Sequence, residues 1–268
     1  MKKKRLIPVV LIKNGWVVQS NNFNKYKNIG HPIPTIKRLS NFCSDEIIII
    51  DITKNDFYEN RRDDTNYNFK EDILSILKEI SKVIFMPVAI GGKIKDISDA
   101  KLRIENGAEK IVINTMCLEN KKEIEKIAKS FGSQAIIASI DYKKVENKHY
   151  VIKNGNKVLQ LDPLDHAKNL IGCGVGEIFL NSVDRDGLKI GYDLDYLKDF
   201  SDKIKLPVIG CGGAGSWEDM YKLSCETKCD GIAAANIFHH VEHSVYLAKE
   251  YLSKKTKQFR PPNFYNEI

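Results

Sequence analysis

The residues with chemistry to offer stand at the ends of short apolar runs. Asp141 closes the run 135–140, Ala-Ile-Ile-Ala-Ser-Ile. A carboxylate there is either a general acid or base, tuned by partial burial, or a structural aspartate holding loop amides. Further on, Asp184-Arg-Asp-Gly187, Cys211-Gly-Gly-Ala-Gly215 and Ala235-Asn236 each follow another run. They offer clustered backbone N–H groups with little side-chain obstruction, as a phosphate dianion requires. One Gly-Gly-x-Gly says no more than a turn needing positive φ. Three such loops in consecutive positions point to phosphate, with Asp186, Gly187, Gly213, Ala235 and Asn236 as binding positions. Gly91-Gly92-Lys93 with Asn114 and Thr115 would form an opposite site, where Lys93 either adds a cation or fills the space a phosphate needs. Asp51 ends a run as Asp141 does and reads as structural. His239-His240 have no Cys or acidic company, so no metal is expected. His31, beside Pro32, reads as a helix-entry residue.

Positioning these residues takes a repeating scaffold. β-rich runs fall at 6–11, 46–52, 84–90, 110–114, 135–141, 177–183, 207–211 and 231–235. Amphipathic stretches such as 70–82, 96–106, 119–130, 217–227 and 241–254 lie between them. Strands alternating with helices pair in parallel through right-handed crossovers, and eight of them close into a (β/α)8 barrel, an α/β fold with its loops' chemistry at the carboxyl ends. One domain, 1–268, with a tail at 256–268, accounts for the length. At 145–161 the pattern changes: Asn154-Gly155 between alternating runs predicts a β-hairpin on the loop of strand five.

The halves repeat each other. Leu206-Pro-Val mirrors Met86-Pro-Val, Cys211-Gly-Gly-Ala mirrors Gly91-Gly-Lys-Ile, Glu177-Ile-Phe mirrors Glu46-Ile-Ile, and the run at 6–11 mirrors 136–141. Two asymmetries stand out. Leu11 occupies the position of Asp141, and Lys93 that of Gly213.

Composition narrows the function classes. Hydrophobic residues make up 43%, enough for a sizeable core, and the formal charge is +7. The lysines are scattered over many helices and no aromatic-plus-basic module appears, so the charge reads as solvated surface or attraction for phosphorylated small molecules, not as a nucleic-acid partner. Met1-Lys-Lys-Lys-Arg5 precedes only a short apolar run, too short for a leader or a membrane span. Six cysteines without a Cys-x-x-Cys pair fit reduced thiols in a cytoplasmic protein.

Lys4-Arg-Leu-Ile-Pro8, the stretch 45–53, Gly107-Ala-Glu-Lys-Ile-Val-Ile-Asn-Thr115, Phe131-Gly-Ser-Gln-Ala135, Ser182-Val-Asp-Arg-Asp-Gly187, Gly212-Gly-Ala-Gly215 and Ile237-Phe-His239 together resemble the HisF family, the cyclase subunit of imidazole glycerol phosphate synthase. The resemblance covers nearly the whole chain. It implies no cofactor, a HisH-like glutaminase docked on the amino-terminal face, and ammonia passing through the barrel to a substrate at the carboxyl face. It further implies that Arg5, Glu46, Lys110 and Glu177, each at a strand start, ring the ammonia entrance, with Glu109 at the glutaminase interface; a ring serving stability alone is the other reading. The carboxyl face departs from the family pattern. Asp141 matches one of two catalytic aspartates and Leu11 replaces the other; Gln19 stands where a loop lysine covers the substrate. Lys93 enters one phosphate loop, Leu188 and Asn181 replace hydroxyl residues, and an enlargement at 55–70 carries Arg61-Arg62-Asp63-Asp64. A branch of the family resembles the chain in this. It works with a glutaminase and a separate sugar amidotransferase to install acetamidino groups in surface polysaccharides. The expectation is therefore an ammonia-delivering subunit of that kind. The alternatives are a true cyclase using Asp141 with a different acid, and a non-catalytic glutaminase scaffold.

Overall fold

A computed structural model describes residues 3–55, 57–58, 70 and 72–262. The first strand, β1 (Arg5–Lys13), turns into two hairpin strands, β2 (Trp16–Asn21) and β3 (Lys25–Gly30). Then come α1 (Pro32–Asn41), β4 (Ile47–Asp51), α2 (Ile73–Ile80), β5 (Val88–Gly91), α3 (Ile97–Glu105), β6 (Lys110–Ile113), the short α4 (Thr115–Glu119) and α5 (Lys121–Phe131). The second half opens on β7 (Ile136–Val145), with β8 (Lys148–Lys153) and β9 (Lys157–Val158) folded back from it. It continues through α6 (Pro163–Gly172), β10 (Glu177–Ser182), α7 (Leu194–Lys203), β11 (Val208–Cys211), α8 (Trp217–Glu226), β12 (Gly231–Ala234) and α9 (Ser244–Lys255). Strands β1, β4, β5, β6, β7, β10, β11 and β12 pair in parallel in that order, and β12 returns to β1. The result is a closed (β/α)8 barrel, as the alternation of runs predicts.

The strands are apolar on both faces because both are covered. Ile7, Val9, Ile48, Ala89, Val112, Ile137, Phe179, Ile209 and Ala233 form one buried cluster inside the barrel. Alternate residues such as Leu6, Val10, Ile47, Ile49, Ile136 and Ile178 belong to a second cluster shared with the surrounding helices. Several helices start at side-chain caps: Asp72 accepts from Ser75 N, Asp96 from Asp99 N, and Ser216 forms a reciprocal box with Asp219. His31 precedes α1, whose first residue is Pro32, so the helix-entry reading of that pair holds.

The hairpin expected at Asn154-Gly155 is present, with φ of 54° and 78°, but it is the outer part of a larger extension. β7 runs on to Val145 and pairs antiparallel with β8, which pairs in turn with β9. A second hairpin, on β1, was not expected. Lys13 pairs with Trp16 across the two-residue turn Asn14-Gly15, φ 49° and 76°, a turn whose twist matches its flanking strands. Each half-barrel thus opens with a strand that leaves the barrel mouth as a hairpin. The segment after α9, expected as a tail, is bound into the fold as far as Phe259: Lys4 N donates to Gln258 O at 2.8 Å, and Phe259 is 1% exposed. The charged enlargement Arg61-Arg62-Asp63-Asp64 lies outside the described residues. No helix among the described residues is long and apolar enough to cross a membrane, and none of the six cysteines is in a disulfide.

One ion pair ties the last helix to the barrel. Lys249 Nζ donates to Asp45 Oδ1 and to Cys43 O, each at 2.7 Å, and Leu6 N donates to Asp45 Oδ2 at 2.9 Å. Both side chains are 5% exposed. Lys249→Met strands a buried carboxylate without its counter-charge and is expected to lower unfolding free energy by about 3–5 kcal/mol. Urea denaturation checks this; a loss below about 1 kcal/mol, the range of an exposed pair, contradicts it.

Candidate functional site

The two ends of the barrel carry different chemistry. At the amino end Arg5, Lys110 and Glu177 are the first residues of β1, β6 and β10, and Glu46 directly precedes β4. The structure brings all four together. The Arg5 guanidinium bonds both Glu46 and Glu177, and Lys110 Nζ donates to Glu46 Oε1 at 3.0 Å and to Glu177 Oε2 at 2.9 Å. The signs alternate round a closed ring, so each carboxylate sits between two cations. Both glutamates are buried. Above this charged floor lies the apolar inner cluster, beginning with Ile7, Ile48, Val112 and Phe179. Glu109, next to the ring's lysine, is exposed.

At the carboxyl end Asp141 is held by the strands on either side of its own. Asn114 Nδ2, just past β6, donates to its Oδ2 at 2.9 Å, and Asn181 Nδ2, in β10, to its Oδ1 at 3.0 Å. Burial pushes its pKa up to about 6 against these two hydrogen bonds, with a further upward contribution from the charge of Asp186. Such a carboxyl can exchange a proton near neutral pH. Leu11 lies on β1, four strands round the ring of eight and so directly opposite, and packs with Ile50 and Ala235 against the inner cluster. The mouth therefore has one carboxylate facing one aliphatic side chain.

The loops of the second half assemble as expected. Asp186, Gly187, Gly213, Ala235 and Asn236 line one small cavity with Lys189, Cys211, Gly212, Ala214 and Ala234. Glycine is required at two of these positions. A Cβ on Gly213, φ 94°, would collide with the Gly191 carbonyl, and one on Gly187, φ 72°, would stand 2.5 Å from Ser20 O. That second contact comes from the β2–β3 hairpin, which lies over these loops. Ser20 Oγ donates to Asp186 Oδ2 at 2.6 Å, Asn22 N to Asp186 O at 3.1 Å, and Asn236 Nδ2 to Ser20 O at 2.7 Å. Under the hairpin a cavity of about 240 Å³ is lined by Gln19, Lys25, Tyr26, Lys27, Lys189 and His240, among others. Gln19 is thus part of a paired strand, opposite Lys27, and not of an irregular loop.

The loop of the first half has the same backbone and a different content. Gly92 and Lys93 have φ of 101° and 54°, against 100° and 94° at Gly212 and Gly213, so each loop carries two successive positive φ angles that agree closely only at the first position. Lys93, however, bonds Asn55 O and stands 3.4 Å from Asp51 Oδ2. Asp51 also accepts from Thr53 N at 2.9 Å and Tyr58 Oη at 3.3 Å, the structural role read from sequence. Arg103, buried on α3, donates to the carbonyls of Gly92 at 2.9 Å and Lys93 at 3.4 Å. Of the residues expected to form a first-half anion site, Lys93 has its ammonium engaged with Asp51 and Asn114 has its amide engaged with Asp141, while Thr115 is exposed at the start of a five-residue helix. Neither reading of Lys93 is decided by these contacts, which place its ammonium beside the buried Asp51. Asn181 likewise serves Asp141, and Leu188 is exposed.

Sequence reasoning missed Ser20, Lys25, Lys27 and Arg103. The first three belong to the hairpin that Asn14-Gly15 announces, with the same dipeptide signal used at 154–155. Arg103 carries no local signal; only its burial between the loop carbonyls and Asp99 reveals it. His240 lines the larger cavity, while His239 ends a 3₁₀ turn. Among the described residues no cluster of three or more His, Cys, Asp or Glu is placed to hold a metal ion.

Comparison with known proteins gives a consistent result. The model of the family described as "Histidine biosynthesis protein" matches residues 5–244. The imidazole glycerol phosphate synthase subunit HisF of Saccharolobus solfataricus is 34% identical over 261 residues, covering 97% of this chain and 100% of the relative. The subunit of the same name from Natranaerobius thermophilus is 35% identical over 261 residues, again 97% and 100%. A protein of Vibrio vulnificus carrying the subunit name hisF2 is 38% identical over 251 residues, 93% of this chain and 88% of the relative.

The Asp141 carboxyl sets a pH dependence whose sign is fixed. Its folded pKa of about 6 lies above the ordinary 3.8, so the folded state holds the proton more tightly than the unfolded state. Stability is therefore lost as pH rises through that window, and the loss persists above it. Asp141→Asn removes the effect. The variant is expected to gain stability relative to the parent between pH 4 and pH 7.5, by up to about 3 kcal/mol. Paired urea titrations at the two pH values check it; a constant difference contradicts it.

Proposed function

Since the chain belongs to the histidine biosynthesis protein family, within its HisF group, we propose that it is an ammonia-delivering synthase subunit whose acceptor is not the histidine-pathway intermediate. It pairs with a HisH-like glutaminase on its amino-terminal face. With a separate sugar amidotransferase it serves acetamidino-sugar formation for surface polysaccharide. One observation carries the reading: the four-residue ring at the amino end is complete, whereas Leu11 faces Asp141 at the carboxyl end.

The physical argument concerns the state of the nitrogen. Ammonia in bulk water at neutral pH is protonated and is no nucleophile. A passage that excludes water and offers aliphatic walls keeps it neutral, because burying an unpaired ammonium costs far more than burying ammonia. The inner cluster supplies such walls, and the charged ring supplies a floor that a neutral molecule enters only when one of its pairs opens. At the exit Asp141, poised about pH 6, can take up or return a proton as the nitrogen is consumed. Ring closure needs a pair of acid–base groups across the substrate, each worth about 10²–10⁴ in rate, and Leu11 transfers no proton.

A true cyclase is the second reading. It is favoured by the tuned carboxyl of Asp141 and the well-formed second-half loops. A histidine auxotroph lacking the cyclase separates the two. The delivery subunit is expected not to restore growth, and growth at the normal rate would sink the proposal. With the glutaminase present, Glu46→Gln and Lys110→Met are expected to reduce glutamine-supported transfer about tenfold or more while transfer from added ammonium salt is unchanged. Unaltered glutamine-supported transfer would leave only a scaffold role.

A further inference from the structure

The mirror-related loops of the two half-barrels have been put to different uses, and the charges at the mouth are distributed to match. On the first-half side the cations are spent inside the protein: Lys93 on Asp51 and Asn55, Arg103 on the carbonyls of Gly92, Lys93 and Asp99. The position that mirrors Arg103 in the second half is the buried Leu223, and the one that mirrors Asp51 is Ser182, so the buried arginine and aspartate of the first half have no counterparts there; Arg185 holds the Gly191 carbonyl instead, at 3.2 Å. On the second-half side the arrangement is reversed. Lys25, Lys27, Lys189 and His240 line the 240 Å³ cavity, and none of them makes an ion pair among the described residues. Burial, together with the charges of Lys189 and Lys27, pushes His240 below its ordinary pKa, which places these groups within each other's field. Asp186 is the one carboxylate lining either cavity on this side, and it is engaged by Ser20 Oγ and Phe23 N. A cluster of like charges without a partner is unfavourable when empty and attracts anions.

This cationic cavity adjoins the glycine-lined one. They share Gly187, Lys189 and Asn236. Backbone-lined loops suit one phosphoryl group, and the exposed Lys25 and Lys27 of β3, with Lys189 across the same cavity, suit a second beside it. We propose that the mouth binds a diphosphate: one phosphoryl group on the loops of Gly187, Gly213 and Asn236, and the adjoining one between Lys25, Lys27 and Lys189 beneath the β2–β3 hairpin. The acceptor is then a diphosphate ester, with its remaining portion directed across the mouth towards Asp141. A ligand with a phosphate at each end would place its second phosphate on the first-half loop, where Lys93 is already engaged. The inference deepens the proposed function and rests on the mouth being the acceptor site.

Calorimetric titration of the full chain tests it, using inorganic pyrophosphate, inorganic phosphate and fructose 1,6-bisphosphate. Pyrophosphate is expected to bind at least about tenfold more tightly than phosphate. Lys25→Ala and Lys27→Ala, which line only the cationic cavity, are expected to remove that advantage while leaving phosphate affinity within about twofold. Lys101→Ala, the same loss of charge on the outer face of α3, is expected to change nothing. Equal affinity for pyrophosphate and phosphate overturns the proposal. So does tighter binding of the bisphosphate that is weakened by Lys93→Ala, because it would place the anions at opposite ends. None of these readings involves glutamine or ammonia, so failure here leaves the delivery proposal standing, and failure of auxotroph or ring tests leaves the binding result intact.

Discussion

Closing eight parallel strands on themselves forces every second side chain into one shared interior. No strand has a free face on which to carry chemistry, since one side fills the barrel and the other packs on helices. Function is confined to the two ends, where the inward positions of the strands meet solvent. The same four inward registers that start with Arg5, Glu46, Lys110 and Glu177 therefore lead, up the barrel, to Leu11, Ile50, Asn114 and Asn181. Floor and mouth are two ends of one set of side-chain columns.

The floor is an uneconomical way to hold a barrel together. Glu46 and Glu177 are taken out of water, and a buried ion pair commonly contributes no more than well-packed apolar residues of the same volume. Four apolar residues would close this end at least as well, as they do one layer higher at Ile7, Ile48, Val112 and Phe179. What alternating charges offer is a closure that can open: one lysine swinging out leaves its two glutamates still paired with Arg5. An openable closure is what the proposed delivery role asks of this end, whereas a ring serving stability alone does not need one.

The barrel was legible in the sequence because its signals are local and repeated eight times: apolar runs, amphipathic stretches and short connections in strict alternation. The ring was named through the resemblance to the HisF family, and the position of all four residues at strand starts agrees with it. The mouth was legible only where backbone chemistry decides it. Gly187, Gly213 and Asn236 were identified from the need for clustered, unobstructed N–H groups in three consecutive loops, and the structure gathers them around one cavity. Where side chains from distant segments compete for one partner, reading failed. Nothing near Asn114 says that its amide is taken by Asp141 instead of an anion, and nothing near Lys93 says that Tyr58 and Asp51 lie beneath it. The β2–β3 hairpin was a different failure, because Asn14-Gly15 was a sufficient local signal.

Pseudo-symmetry makes the divergence of the two halves interpretable. Equivalent glycines at 92 and 212 share nearly the same φ, so both loops have the same backbone to start from. At the next position the half-barrels part. In the second half the Gly191 carbonyl approaches so closely that only glycine fits at 213, and the loop remains bare. In the first half the mirror position accommodates a Cβ, and with it a lysine whose charge is matched by Asp51 and whose carbonyl is held by Arg103. A loop that satisfies its own charges internally has little left for a ligand, whereas the second-half loop lies beside lysines that make no ion pair among the described residues. Leu11 follows the same rule on the opposite wall from Asp141. The polar groups of the mouth thus lie along one side, while those of the other side are engaged within the fold.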